Sequence, residues 1–224
     1  MKQNNNFEIP SWFGHSENLN NSERISNKLP KKKLTIEEAL GQFRNGQMLI
    51  VVDGEDRENE GDFIISAEKA SPEDINFMMK EGRGLICMSI TQEHSNRLHL
   101  SPMVSDNTSI HETNFTVSVD AKKNTSTGIS AKDRWQTVQV MLDENSTPND
   151  LGRPGHMFPL VAKEGGVLQR AGHTEASIDL ARIAGLKPAS LLVEIVDEDG
   201  TMARRSRLEK ISKKYKKLKI CRNI

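Results

Sequence analysis

Residues 48–65 read Met48-Leu-Ile-Val-Val-Asp-Gly-Glu-Asp-Arg-Glu-Asn-Glu-Gly-Asp-Phe-Ile-Ile65, two short apolar runs on either side of an acidic segment. The runs Met48–Val52 and Phe63–Ile65 are branched and apolar throughout, which is typical of strands that are buried on both faces. The decapeptide between them holds six carboxylates. This stretch therefore predicts two strands of a buried sheet that are joined by a strongly negative loop.

Outward from this stretch, helix and strand signals alternate along the chain. Helix starts are indicated at Thr35 (with Glu38), Ser71 (with Asp74), Ser130 (with Asp133) and near Thr174, and helix ends at Gly46, Gly82 and Gly185. The helix near Thr174 is predicted to bury Ala176, Leu180, Ile183 and Ala184. Further strands are expected at 85–90, at Phe115, Val117 and Val119, at 157–161 and at 191–196, with a turn at Gly152-Arg-Pro-Gly155 and a hairpin at Asp199-Gly200. This order predicts a mixed sheet with helices packed on it.

Length and charge limit the classes of protein to which the chain can belong. Its 224 residues suit one domain, and Lys+Arg and Asp+Glu both number 31, which gives no general attraction to nucleic acid or an anionic membrane. No apolar run approaches the length of a membrane span. Residues Arg204–Arg222 are strongly basic, and we interpret them as a solvated helix face rather than a nucleic-acid patch, because only Tyr215 accompanies them as a stacking residue.

The N-terminus and the cysteines bear on domain boundaries and location. Residues 1–33 are polar and rich in Asn, so we expect a flexible tail before a domain that covers residues 34–224. Cys87 and Cys221 have no metal or disulfide spacing, which suits a reducing compartment. A cytoplasmic location is predicted, with the plastid stroma as the alternative.

The acidic decapeptide is the strongest candidate for a functional site. Six clustered carboxylates repel one another unless they share cations, and Mg²⁺ prefers such oxygen ligands. Arg57 adds a planar donor that suits a substrate oxygen or phosphate. The alternative is an ordinary solvated turn, but the predicted burial of both flanking strands favours a site.

Other candidate residues lie in the second half of the chain. Arg170-Ala-Gly-His-Thr174 precedes a helix, where backbone N–H groups suit a phosphate and His173 could bind a metal; simple capping by Thr174 is the alternative. Glu194 is a charge within an apolar strand and needs a partner, unless it faces water on an edge strand. His156 could exchange a proton near neutral pH, or be structural. Cys87 is interpreted as a core residue.

Together these segments resemble the 3,4-dihydroxy-2-butanone 4-phosphate synthase family. The resemblance covers roughly residues 35–205 and rests on six segments in order: Asp56-Arg-Glu-Asn-Glu-Gly-Asp62, Ser126-Thr-Gly-Ile-Ser-Ala-Lys-Asp-Arg134, Arg153-Pro-Gly-His156, Gly165-Gly-Val-Leu168, Gly172-His-Thr-Glu175 and Asp199-Gly-Thr-Met-Ala203.

The resemblance implies a single-domain α+β fold, a three-layer sandwich with a mixed β-sheet and helices packed on it, and a homodimer with active sites at the interface. It implies a lyase of riboflavin biosynthesis that converts D-ribulose 5-phosphate into L-3,4-dihydroxy-2-butanone 4-phosphate and formate, through a metal-stabilised enediol and a skeletal rearrangement. Compared with many relatives, either the C-terminal element is shortened or the chain is a fragment of a longer product.

By the same resemblance, two Mg²⁺ ions, with Mn²⁺ as an alternative, would be held by Glu58 and His173. The catalytic residues implied are His156, Glu194, Asp62 and Glu60. The substrate-binding residues implied are Arg57, Glu58, Asp62, Arg170, Ala171, Gly172, His173, Thr174 and Glu194, together with Asp53, Cys87 and Thr127.

Two other functions compete with this interpretation. A catalytically silent homologue would not need intact Arg57, Glu58, His156, His173, Thr174 and Glu194. A nucleotide- or RNA-binding protein is suggested by a carbamoyl-transferring tRNA-modification family that resembles this one in fold, but it would want a basic groove where this sequence has an acidic loop. The sequence therefore favours a small-molecule enzyme that binds neither nucleic acid nor membrane.

Overall fold

The sheet is built from both halves of the chain. A computed structural model describes residues 34–54 and 57–222. The strands within these ranges are β1 (Leu49–Val52), β2 (Gly61–Ser66), β3 (Cys87–Ile90), β4 (Val119–Ala121), β5 (Leu151–Val161), β6 (Ser190–Glu194) and β7 (Lys219–Arg222). They form one sheet in the order β4-β5-β3-β6-β2-β1-β7. The pairs β1–β7 and β3–β5 are parallel and the other four are antiparallel, which confirms the predicted mixed sheet.

The sequence signals at Thr35, Ser71, Ser130 and near Thr174 each mark the start of a helix, whereas the helix Gln92–Arg97 was not predicted. The helices are α1 (Ile36–Arg44), α2 (Pro72–Phe77), α3 (Gln92–Arg97), α4 (Ala131–Leu142), α5 (His173–Ile183) and α6 (Arg205–Lys214). Thr35 and Ser71 each form the expected capping box, and Ser130 accepts a hydrogen bond from the N–H of Asp133. The N-cap of α5 is Gly172, whose side-chain-free position leaves the first turn without a side-chain cap. The simple capping role for Thr174 is therefore wrong.

The core consists of two hydrophobic clusters, because the strands alternate. In β1, Ile50 and Val52 belong to a cluster that includes side chains of α2, α4 and α6, whereas Leu49 and Val51 belong to a second cluster with α1 and α5. Phe63 and Ile64 of β2 divide in the same way. Since alternate side chains of a strand point to opposite faces, helices cover both faces of the sheet. The three-layer description remains a prediction, which this division supports.

The predicted turn at Gly152–Gly155 lies instead within β5. Opposite it, Val119 pairs with Met157 while the next residue, Asp120, pairs with Gly152, so residues 153–156 form a bulge in the β4–β5 ladder. Proline has no N–H for a ladder hydrogen bond and is tolerated in a bulge. The Gly/Pro signal was therefore real, but it marks an irregular strand.

Three further expectations need correction. The predicted half-buried strand starts later than expected, at Val119. Before it, the polar Thr116 and Ser118 are buried, whereas Phe115 and Val117 are only partly buried. Backbone hydrogen bonds join this segment to neighbouring segments on both of its sides. Ile183, the last residue of α5, is 61% exposed and does not belong to the buried face of the helix. Strand β7, which pairs with β1, was not predicted from its Lys-rich sequence.

Some expectations fall on residues that the structure does not describe. The predicted tail at residues 1–33 and the acidic residues Glu55 and Asp56 lie outside the described ranges, as do Asn223 and Ile224. Within those ranges, no helix has both the length and the apolar character needed to cross a membrane.

Gly155 is expected to be intolerant of a side chain. A Cβ at this position would lie 2.0 Å from the carbonyl carbon of Val119, whereas one at Gly152 would have no contact closer than 3.7 Å. Gly155→Ala should therefore lower the free energy of unfolding by about 1–3 kcal/mol. Gly152→Ala in the same strand should change it by less than about 0.5 kcal/mol. Urea denaturation of both variants tests this, and equal stability would contradict the close approach.

Candidate active site

The acidic loop between β1 and β2 is organised by Asp53, directly after β1. Its carboxylate accepts hydrogen bonds from the backbone N–H groups of Glu58 (3.1 Å) and Glu60 (2.8 Å), and from Arg57 Nη1 (2.9 Å). Burial raises the pKa of Asp53, but the hydrogen bonds from Glu60, Arg57 and Glu58 outweigh burial and hold the pKa below its usual value. Asp53 is therefore an anion that fixes the loop.

Asp53, Glu58 and His173 form a cluster of three acidic or imidazole side chains. One ligand atom from each lies within 4.8 Å of the others. Arg57 Nη1 also contacts Glu58 Oε2 at 2.6 Å. His173 is buried at the first residue of α5, and burial lowers its pKa, although the charges of Asp53 and Glu58 oppose this. The imidazole is therefore neutral near pH 7, the form that binds metals.

Two carboxylates lie side by side next to this cluster. Asp62 on β2 pairs directly with Glu194 on β6, and Asp62 Oδ1 lies 3.5 Å from His173 Nδ1. Asp62 is only 3% exposed, and burial, followed by the charges of Glu194 and Glu58, raises its pKa well above the usual value. Glu194 is half-buried, and no hydrogen bond or ion pair joins its side chain to another described residue. A shared cation or a proton would relieve this repulsion.

His156 lies at the same end of the sheet. Cys87 at the start of β3 pairs with Phe158 of β5 and Leu192 of β6. His156 comes two residues before Phe158 in a parallel strand, and Glu194 two residues after Leu192 in an antiparallel one, so both extend past the start of β3 by the same step. The sheet register thus places Asp62 and Glu194 side by side, with His156 on the bulged strand at the same end of the sheet.

Cys87, at the same end of the sheet, is a buried core residue. Burial raises the pKa of its thiol well above the usual value, and the charges of Glu194 and Asp62 raise it further. The thiol is thus protonated at neutral pH and is a poor nucleophile. Cys87 is therefore a small, neutral, buried side chain at the start of β3.

Arg170 is bound to the protein itself. Its guanidinium donates to Glu175 Oε2 (2.5 Å), to Thr113 Oγ1 (3.0 Å) and to the carbonyl of His111 (2.9 Å). Because Glu175 is fully buried, the pair ties the loop around residues 111–113 to the first turn of α5. Thr174 is buried in that turn, and Ala171 is exposed before it.

The sequence profile described as 3,4-dihydroxy-2-butanone 4-phosphate synthase matches residues 37–222. The chain belongs to this family. The match spans β1 to β7 and includes every residue of the site described above, so the resemblance drawn from six short segments is confirmed.

Relatives of this synthase family include curated proteins and solved structures. The chain is 57% identical over 182 residues to "Riboflavin biosynthesis protein RibBA" of Porphyromonas gingivalis, covering 81% of this chain and 45% of that protein. It is 56% identical over 170 residues to "3,4-dihydroxy-2-butanone 4-phosphate synthase" of Helicobacter pylori, covering 76% and 49%. The chain therefore spans about half the length of these relatives.

A solved synthase described as being in complex with two magnesium ions superposes with a TM-score of 0.80 at 38% identity, covering 84% of this chain and 92% of that one. Two observations on the present chain fit a cation at the Asp53–Glu58–His173 cluster. Asp62 Oδ1 and His173 Nε2 are buried with no hydrogen-bond partner among the described residues, and both side chains adjoin the cluster with Asp53 and Glu58. Carboxylate oxygens with one imidazole suit Mg²⁺ or Mn²⁺.

The structure gathers most of the predicted synthase site residues into two groups. The first group contains the cluster and its neighbours: Asp53, Arg57, Glu58, Glu60, Asp62, His173 and Glu194. The segment that leads into α5 adds Arg170, Ala171, Gly172 and Thr174. The other group contains His156 and, on the exposed loop before α4, Thr127. Thr127 neighbours Gly128, where a Cβ would lie 2.6 Å from His156 Nδ1. No hydrogen bond joins this second group to the acidic loop within the described residues.

Several residues of the site were missed by sequence reasoning. His111 Nε2 lies 3.5 Å from Glu58 Oε1, and Arg204, in the basic segment taken for a solvated face, donates to the carbonyls of Glu58 (2.9 Å) and Asn59 (2.6 Å). Asp120 contacts His156 at 2.7 Å. These contacts join residues far apart in sequence, so no local motif signals them. The excess of acids in the loop was a signal that a cation such as Arg204 would be drawn to it.

Proposed function

We propose that this protein is a lyase that converts D-ribulose 5-phosphate into L-3,4-dihydroxy-2-butanone 4-phosphate and formate in riboflavin biosynthesis. The observation that carries the proposal is the Asp53–Glu58–His173 cluster beside the paired carboxylates of Asp62 and Glu194. The reaction removes a proton next to a carbonyl, so it needs groups that stabilise negative charge close to groups that exchange protons.

We further propose that Glu58 and His173 hold Mg²⁺, two ions per site, with Mn²⁺ as a substitute. Asp53, which also belongs to the cluster, is fixed by its loop hydrogen bonds. Bound Mg²⁺ would supply a Lewis acid for the substrate oxygens that become negative during enolisation. The occurrence of two magnesium ions in a solved relative at 38% identity supports magnesium as the metal.

The chain's own carboxyl groups are suited to the proton transfers. Burial raises the pKa of Asp62 and of Glu60, and Glu58 raises that of Glu60 further, while Arg204 opposes it. A carboxyl group with a raised pKa carries its proton closer to neutral pH and can both donate and accept it. Glu194, across the strand pair from Asp62, and His156 complete the set of candidates.

Substrate binding is assigned to the two flanks of the cluster. Arg57 would release one of its present carboxylate partners to bind a sugar oxygen, with Cys87 and Thr127 as further contacts. The first turn of α5, which has no side-chain cap, presents the backbone N–H groups of His173 and Thr174, which suit the phosphate. Because Arg170 already donates to three protein groups, its contribution would be to hold this turn in place.

The assembly and location of the protein are part of the proposal. We expect a homodimer with its active sites at the interface. The exposed apolar side chains of Ile110 (93%) and Leu168 (96%), which border the His111–Arg170 contact, are consistent with burial by a second copy. We expect a reducing location such as the cytoplasm, since Cys87 and Cys221 are both free and buried.

The direct test is to incubate the purified chain with ribulose 5-phosphate and Mg²⁺ and to measure formate and the butanone phosphate by NMR. Both products should appear together, disappear with EDTA and return when Mg²⁺ or Mn²⁺ is restored. A folded, metal-loaded dimer that forms neither product would instead indicate a catalytically silent homologue.

A further inference from the structure

His156 is held by a single acidic residue, Asp120 of β4. Asp120 Oδ1 accepts a hydrogen bond from the backbone N–H of His156 at 2.9 Å, and Oδ2 lies 2.7 Å from Nδ1 of the ring. Both carboxylate oxygens are therefore used by one residue. The ring is 41% exposed, whereas the Asp120 side chain is 19% exposed, so the acid lies on the protein side of the imidazole and the opposite edge of the ring faces outward.

The bulge in β5 creates this contact. Asp120 pairs with Gly152 while its neighbour Val119 pairs with Met157, so the residues 153–156 of β5 loop out opposite one step of β4. A bulge turns a side chain away from the direction that regular pairing would give it. Here it turns both the backbone N–H and the ring of His156 toward Asp120. The contact is therefore a product of the strand geometry rather than of a flexible surface side chain.

The loop at residues 126–128 lies against the other side of the Asp120–His156 pair. A Cβ at Gly128 would lie 2.1 Å from Asp120 Oδ2 and 2.6 Å from His156 Nδ1, so this position has no room for a side chain. Asp133 fixes the loop by accepting hydrogen bonds from Ser126 Oγ (2.7 Å) and from the N–H of Gly128 (3.1 Å). Asp120 and His156 are thus confined by a strand bulge and a tethered loop.

We propose that Asp120 is a positioning residue that fixes the tautomer and orientation of His156 for proton transfer. An ionised carboxylate can only accept hydrogen bonds, so the pair requires the proton on Nδ1 and leaves the lone pair of Nε2 free. Nε2 can then take a proton from the substrate and return it, while Asp120 stabilises the imidazolium between these steps. This inference rests on the proposed function, in which His156 exchanges a proton with substrate.

Other charged groups near the pair do not replace Asp120. Arg134 of α4 lies close enough that, although burial lowers its pKa, the charge of Asp120 opposes the shift. Its Nε donates to the carbonyl of Ile129 at 3.1 Å. Among the described residues, Asp120 is the group within hydrogen-bonding distance of the His156 ring.

The tautomer can be measured without any turnover. In histidine labelled with ¹⁵N, the His156 signals, assigned by their loss in His156→Gln, should report a protonated Nδ1 and an unprotonated Nε2 in the neutral ring. Asp120→Asn places an amide at the same position, which can donate to Nδ1 and so favour the other tautomer. A wild-type ring protonated on Nε2, or an unchanged tautomer in Asp120→Asn, would overturn the inference.

The kinetic test separates positioning from a general loss of structure. Asp120→Asn should lower kcat by about 10²-fold with little change in KM, because His156 no longer presents an unprotonated Nε2 while substrate binding is unaffected. Asp120→Glu, which keeps the carboxylate, should recover part of kcat. The control Glu144→Gln removes an exposed carboxylate and should leave both constants unchanged. Thermal unfolding of each variant checks the fold.

The outcomes distinguish this inference from the proposed function. If the wild-type protein forms no product, the proposed function fails, and the wild-type tautomer still decides whether Asp120 fixes the ring. If the wild-type protein forms product and Asp120→Asn keeps full kcat, the positioning role is overturned while the function stands. A higher KM with unchanged kcat in Asp120→Asn would also overturn the positioning role.

Discussion

Substituting His173 by alanine is expected to lower product formation from ribulose 5-phosphate by about 10³-fold or more and to weaken Mg²⁺ binding in parallel. His173 is a buried neutral imidazole within reach of Asp53 and Glu58, and its Nε2 has no hydrogen-bond partner among the described residues. Removing it would leave a metal with carboxylate ligands alone. The stabilisation of negative charge on the substrate, worth several kcal/mol in metal enzymes, should be lost with it.

Metal binding gives a readout that does not depend on turnover. Calorimetric titration of the wild-type protein with Mg²⁺, or spin-resonance titration with Mn²⁺, should reveal binding that His173→Ala and Glu58→Gln both weaken. The matched control is His94→Ala, which removes a half-buried histidine of α3 that does not belong to the cluster. Wild-type metal affinity in His173→Ala would exclude His173 as a ligand, whatever the activity.

The parts of the fold that sequence predicted are those encoded locally. The capping boxes at Thr35 and Ser71 each satisfy backbone groups within one turn, so four neighbouring residues suffice to specify a helix start. The apolar run Leu49–Val52 likewise specifies a strand that is buried on both faces. Strand β7 was missed because it lies at the sheet edge and is Lys-rich, where its pairing with β1, not its composition, makes it a strand.

The candidate site was likewise predicted where its residues are close in sequence and missed where they meet only in the folded chain. The acidic loop was predicted because its residues are contiguous, and the structure adds that Asp53 organises it through local hydrogen bonds. Asp120 was not predicted because it lies 36 residues from His156 and reaches it only through the β4–β5 register. The bulge that creates this contact was misread as a turn, since glycine and proline signal both. Register is a property of two strands together and cannot be read from either alone.

Asp62 connects the chemistry of the site to the stability of the fold. It is buried, one of its carboxylate oxygens has no hydrogen-bond partner within the described residues, and it faces Glu194 across a strand pair. Ionising it in the folded protein is therefore unfavourable, which is the origin of its raised pKa. Such a group lowers the stability of the fold, and a cation in the cluster would offset part of that cost.

Asp62→Asn is accordingly expected to lower kcat by about 10²-fold or more while it raises the free energy of unfolding of the metal-free protein by about 1–3 kcal/mol at neutral pH. The folded-state pKa lies above the unfolded value, so the stability contribution of wild-type Asp62 is present below the unfolded pKa, near 3.9, and is lost as the pH rises through the folded-state pKa. Asparagine does not titrate. The free energy of unfolding of Asp62→Asn should therefore equal that of the wild type in acid, exceed it increasingly through this pH window, and then exceed it by a constant amount.

Urea denaturation in EDTA across this pH range measures the difference, with Asp106→Asn, an exposed carboxylate, as the control for loss of one charge. Added Mg²⁺ should stabilise the wild-type protein more than Asp62→Asn, because the cation relieves a repulsion that the variant no longer has. An Asp62→Asn protein that is less stable than wild type at neutral pH would mean that the ionised carboxylate has a favourable partner in the folded state. In that case the pairing of Asp62 with Glu194 would stabilise the sheet rather than destabilise it.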